Sequence, residues 1–124
     1  MKTLVQLLAV GAAGFFGSVA RWGVGVYFGR WMTAFPLGTL VINVTGSFFL
    51  GWFVTFIDRR PGHEMLRLAI GTGFVGAYTT FSTYMFESNQ LMEKGAFYEA
   101  WLNIIGSIVL GLVAVYLGVR LGKL

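Results

Sequence analysis

The stretch GTGFVGAYTTFSTY, residues 71–84, decides the reading of this chain. It lies inside an apolar run from Leu66 to Met92, and it carries three glycines (Gly71, Gly73, Gly76) and five Ser or Thr hydroxyls. If that run crosses a bilayer, these groups sit at mid-membrane depth. Backbone that leaves the helix there is tolerated only where protein or a water-filled cavity satisfies its polar groups, and broken membrane helices often mark ion or substrate sites. A break in the helix is expected between Val75 and Thr79.

Working outward, spanning the hydrocarbon takes about 20 mostly apolar residues. Four runs meet that length: Leu4 to Phe28, Pro36 to Ile57, Leu66 to Met92 and Phe97 to Val119. The connections GRWMTAF, DRRPGHEM and EKG are short, which places successive helices antiparallel and leaves no space for a soluble domain. The runs lack the apolar-out, polar-in alternation of spanning strands. The expectation is a single all-α integral membrane domain, residues 1–124, of four transmembrane helices. Lys2 followed by an apolar run resembles a signal peptide, but no polar mature domain follows a cleavage site, so it reads as a retained first helix.

Composition agrees with this. The chain is 56% hydrophobic and 11% charged with mean hydropathy +0.74, values foreign to a soluble domain of this length. Its nine Lys and Arg stand singly or in short groups and form no stripe, which argues against nucleic acid as a partner. There is no cysteine, and His63 sits in a polar connection with no partner ligands near it in sequence. Five scattered carboxylates make no catalytic constellation, so no enzyme is expected.

Eighteen glycines in such a chain point to close helix packing. Ala9, Ala13 and Gly17 recur at every fourth residue of helix 1, as do Gly14 and Ser18; Ser107 with Gly111 and Gly118 with Gly122 do so on helix 4. Polar residues also share faces. Thr39, Asn43 and Ser47 form a stripe on helix 2, explicable as interhelical hydrogen bonding, although the Asn43 amide has more donors and acceptors to satisfy than a hydroxyl. Asn103 and Ser107 repeat the pattern on helix 4, where Asn103 is also compatible with a merely interfacial position. After the expected break, Phe81, Tyr84 and Glu87 share a face beside Ser82 and Thr83. Membrane aromatics usually pack or face lipid, yet a ring edge carries the positive part of the quadrupole, and with hydroxyl and amide donors it can replace part of a small anion's hydration. Arg21, about 27 Å along helix 1, is either a snorkelling anchor or a vestibule cation that concentrates anions.

At these residues the chain resembles the Fluc family of fluoride channels, also called CrcB. The resemblance covers nearly the whole chain: the small-residue run of helix 1 ending in Arg21-Trp22, the block PLGTLVINVTGSFFLG from Pro36 to Gly51, the block GFVGAYTTFSTYMFE from Gly73 to Glu87, and Ser107. It implies an antiparallel dimer in the cell inner (plasma) membrane, with two narrow pores that export fluoride passively and relieve its toxicity. It further implies a structural sodium ion (Na+) on the two-fold axis, held by the backbone carbonyls of Gly76 and Thr79 from each subunit. The pore lining carries over to Asn43, Phe81 and Tyr84, with Thr39, Ser82, Thr83 and Ser107 as a polar track, Glu87 nearby and Arg21 in the vestibule.

Two departures from the family pattern stand out. The second pore aromatic is usually Phe and is here Tyr84, whose hydroxyl could donate to the anion or alter the aperture. With both termini on one side, Lys2, Arg59, Arg60, Arg67, Arg120 and Lys123 oppose Arg21, Arg30 and Lys94, a bias where a subunit inserting both ways should be nearly balanced. A homodimer is the first expectation, and a heterodimer with a related, oppositely oriented subunit is the second. Two other classes compete. A small four-helix proton-coupled drug exporter needs a titratable group in the membrane, for which Glu87 is the only candidate, and a non-transporting scaffold would use the polar stripes as helix glue.

Overall fold

The computed structural model describes residues 1–31 and 34–124; Met32 and Thr33 of the first connection lie outside the described residues. The chain is all-helical among the described residues. Helix α1 spans Lys2–Gly29, α2 spans Leu37–Asp58 and α6 spans Phe97–Gly122. Each of these three is long and apolar enough to cross a membrane. The remaining helical pass, third in chain order, lies between α2 and α6 and is built from pieces: α3 (Glu64–Arg67), a π-helical stretch Leu68–Val75, α4 (Gly76–Tyr78) and α5 (Phe81–Glu93).

Helix ends follow local chemistry. Pro36 stands just before α2, where its missing N–H costs nothing because the first N–H groups of a helix have no partner within it. Gly62 and Gly95 adopt φ of 88° and 74° in the second and third connections, a region that glycine enters freely. Arg67 pairs with Asp58 at 2.8 Å across the second connection, and Arg59 donates to the carbonyl of Lys123, tying the end of α2 to the end of α6.

Glycine sets how closely the passes approach. α6 packs chiefly on α2 and α1 chiefly on the π-helical stretch. A Cβ at Gly118 would collide with the carbonyl of Phe48, one at Gly122 would fall 2.6 Å from that of Trp52, and one at Gly51 would fall 2.6 Å from that of Val115. On the other side, a Cβ at Gly17 would collide with the carbonyl of Phe74, and one at Gly73 would lie 2.8 Å from that of Val10. The fourfold spacings at Gly17 and at Gly118 with Gly122 thus correspond to backbone-to-backbone contacts, whereas Gly11 and Gly106 have nothing within 4 Å of an added Cβ among the described residues. Large apolar side chains such as Leu7, Phe15, Leu112 and Leu117 remain exposed, as lipid contact requires.

The third pass departs from the helix at Thr79 (φ −77°, ψ 157°) and Thr80 (φ −148°, ψ 115°), both extended. Val75 to Tyr78 stay helical, so the extended pair lies at the C-terminal limit of the interval marked in the sequence. The wide π turns just before it occur where small residues admit α1, and such turns are most often found at functional positions.

Gly118→Ala should therefore lower the midpoint of thermal unfolding in detergent, by an amount equivalent to about 1–3 kcal/mol of overpacking. Gly11→Ala should leave it unchanged. Equal behaviour of the two variants would show that backbone proximity at Gly118 does not limit stability.

Candidate functional site

Leaving the helix strands the N–H and C=O of Thr80, and α2 supplies their partners. The Asn43 amide donates from Nδ2 to the Thr80 carbonyl at 3.0 Å, while the Thr80 N–H donates to Asn43 Oδ1 at 2.8 Å. A primary amide can complete one peptide unit on both sides, which a hydroxyl cannot do. Thr80 then starts α5: its side-chain oxygen accepts from the Thr83 N–H at 3.3 Å, and its hydroxyl donates to Thr83 Oγ1 at 3.0 Å.

These two bonds redirect the N–H groups that a continuous helix would have aimed at Gly76 and Thr79. The Thr80 N–H goes to Asn43 and not to the Gly76 carbonyl four residues back; the Thr83 N–H goes to the Thr80 side chain and not to the Thr79 carbonyl. Among the described residues no other backbone N–H closes on either carbonyl. Gly76 is exposed and Thr79 half-buried. Neutral carbonyl oxygens suit a hard cation such as sodium, and the donor chemistry fits the assignment that the resemblance implies.

The other expected site residues fall into two grooves, one on each side of the Asn43–Thr80 link, and Thr80 lines both. Asn43, Ser47, Thr79, Phe81, Tyr84 and Ser107 line the first. Arg21, Thr39, Ser82, Thr83 and Glu87 line the second together with Ser18 and Trp22. The rings of Phe81 and Tyr84 meet edge to face, with centroids 5.9 Å apart and planes at 64°. Phe81 is 74% exposed and Tyr84 only 6%. The Tyr84 hydroxyl donates to the Ile104 carbonyl on α6 at 2.7 Å, so its proton is engaged and the suggestion that it serves an anion does not match this arrangement.

Hydroxyls of the track have their own partners. Ser47 donates to the Asn43 carbonyl at 2.7 Å, and Ser107 reaches Asn103 Oδ1 at a long 3.4 Å. Thr39 is buried beside the Glu87 carboxyl group. Glu87 Oε2 is buried without a hydrogen-bond partner among the described residues.

Two residues that matter are not singled out by sequence spacing: Thr80, which is one hydroxyl among five there although a Thr at this position can cap a helix start, and Ser88. Asn103, which the polar spacing of helix 4 does mark, is buried and bonded to Ser88 at 2.9 Å and is not interfacial.

A chain, all-helical among the described residues, whose interrupted pass is closed by an amide from its neighbour and flanked by two grooves with polar side chains in their lining is built as a membrane protein. It belongs to the CrcB-like family, since the model described as "CrcB-like protein, Camphor Resistance (CrcB)" matches residues 8–119. Among its relatives is "Fluoride-specific ion channel FluC 2" of Geobacillus kaustophilus, 48% identical over 90% of this chain and 88% of the relative. "Fluoride-specific ion channel FluC" of Acidobacterium capsulatum is 42% identical over 96% of this chain and 97% of the relative. "Fluoride-specific ion channel FluC 1" of Methanosarcina acetivorans is 38% identical over 93% and 88%.

Replacing Asn43 by Leu removes both partners of the Thr80 peptide groups and should cost about 1–3 kcal/mol for each polar group left unsatisfied. The loss is measurable as a lowered thermal midpoint of the purified protein. An Asn43→Leu variant as stable as the parent would mean that the extended pair is held by something other than this amide.

Proposed function

We propose that this chain is a subunit of a fluoride-selective channel in the plasma membrane, which lets fluoride leave the cell passively and so lowers its toxicity. The observation that carries this reading is the first groove, where an edge-to-face ring pair, an amide and a hydroxyl converge in a chain whose relatives are named fluoride-specific ion channels. A small anion entering it exchanges water for ring edges and neutral donors, with no fixed positive charge deep enough to trap it. Arg21 in the neighbouring groove raises the anion concentration at the mouth. Chloride is larger and needs a wider aperture. The names of the relatives given above favour neither the proton-coupled exporter nor an enzyme.

The groove is open on one side, and Phe81 lies mostly outside the single chain. An antiparallel dimer closes it with a second subunit, and four carbonyls, Gly76 and Thr79 from each chain, then surround a sodium ion on the axis. Coordination there would give those carbonyls a partner and would hold the two interrupted passes against each other. The bias of six basic residues against three leaves a homodimer as the first expectation and an oppositely oriented relative as the second.

Phe81→Ile keeps apolar bulk and deletes the electropositive ring edge, so it should abolish fluoride efflux from proteoliposomes while the protein remains folded and dimeric. Tyr84→Phe should stay close to the parent, because only the bond to Ile104 is lost, whereas Tyr84→Ile should be severe. Parental flux through Phe81→Ile would refute the ring-edge mechanism. Efflux of the parent should need no proton gradient.

For the assembly, an accessibility tag on the C-terminus of the chain expressed alone should be found on both sides of the membrane. Exclusively cytoplasmic tags would exclude the homodimer and call for a partner subunit.

A further inference from the structure

Helix α6 spends most of its packing on α2 and meets α5 over a smaller contact. What joins α5 to α6 is polar and nearly dry. Asn103 on α6 is 1% exposed, and its amide donates to the Ser88 hydroxyl at 2.9 Å. Ser88 is 3% exposed and donates in turn to the Tyr84 carbonyl at 2.7 Å. The phenol of the same tyrosine donates to the carbonyl of Ile104, the residue after Asn103. Tyr84 is thus gripped twice from one turn of α6, by its backbone through Ser88 and by the tip of its ring. Asn103 Oδ1 meanwhile accepts from Ser107, whose side chain lines the same groove as Phe81 and Tyr84.

Cohesion alone does not call for this arrangement, because an apolar pair of similar volume would fill the contact with no polar group to satisfy. A fully bonded buried polar network restricts orientation more than apolar packing does. We propose that Asn103 is a positioning residue for the Tyr84 ring: through Ser88 it fixes the turn of α5 that carries the ring. Together with the phenol bond to Ile104, it sets the width of the groove between Phe81, Tyr84 and Ser107. The inference rests on the reading of that groove as the anion path. The two ties act in parallel, so either one holds the ring and loss of both releases it.

A double-mutant cycle between Asn103 and the Tyr84 hydroxyl tests this; groups of one network can couple through stability alone, so the thermal midpoint is read beside the flux, and coupling confined to the midpoint counts against the proposal. Fluoride efflux and the fluoride-to-chloride ratio are read in proteoliposomes for Tyr84→Phe, Asn103→Leu and the double variant of the full chain. Each single variant should stay within about threefold of the parent, and the double variant should fall about tenfold or more below the product of the single effects, with chloride leak appearing. Multiplicative effects with an unchanged ratio would overturn the proposal. If Asn103→Leu is not recovered folded, Ser88→Ala cuts the same tie from the α5 side and is read by the same criterion. Phe81→Ile, run in parallel, separates the two possible failures. If it abolishes flux while the cycle is multiplicative, the anion path stands and the role of Asn103 falls; if it conducts like the parent, the groove reading falls and this inference with it.

Discussion

Everything distinctive in this molecule depends on one buried peptide unit that leaves the helix and has to find its hydrogen-bond partners within the protein. Thr79 and Thr80 are extended, and the orphaned groups of Thr80 are completed by the Asn43 amide. In lipid such a step is tolerable only with a partner inside the protein. Meeting the need at Thr80 has a second effect, since the N–H groups taken by Asn43 and by the Thr80 side chain are those that would have covered Gly76 and Thr79. Two carbonyl oxygens are thereby left without a backbone N–H partner among the described residues. The amide that stabilises the interruption is therefore also what makes it chemically available, and it lines the groove where the rings lie.

The rest of the chain holds this step still. α1 reaches the third pass through Gly17 and Gly73, and α2 reaches α6 through Gly51, Gly118 and Gly122, in each case with carbonyl oxygens packed where a methyl group would stand. Gly46 belongs to the same class, since a Cβ there would collide with the Thr79 side chain. Close backbone approach substitutes for the hydrophobic drive that membrane helices lack between themselves. It also puts α2 near enough for a side chain as short as Asn43 to span the gap.

Much of this was legible in the residues. Length and hydropathy marked the passes to within a few residues, because a bilayer imposes its thickness on any helix that crosses it. The run from Gly71 to Tyr84 announced an irregular pass, since glycines and hydroxyls concentrated there have no reason to face lipid. Fourfold spacing identified Gly17, Gly118 and Gly122 as contact points. What escaped was pairing between passes: spacing shows that Asn43, Thr39 and Ser47 share a face, but not that Asn43 addresses the backbone of Thr80. Nor does it show that Asn103 turns inward to Ser88. Tyr84 is the clearest example, because its hydroxyl was weighed as a donor to the anion, whereas a carbonyl on α6 already takes its proton. Partners distant in sequence are decided by packing, and packing here is set by glycine contacts that spacing locates on one helix without naming the other.

The interrupted pass also bears on how the chain enters the membrane. α1, α2 and α6 each carry enough unbroken apolar length to partition into lipid on their own account. The third pass, with its glycines, hydroxyls and extended pair, does not form one such helix. α1 and α2 precede it in the chain, and they supply it with hydrogen bonds and close contacts that lipid cannot offer. The stretch with the irregular backbone is thus also the stretch whose shape leans most on its neighbours.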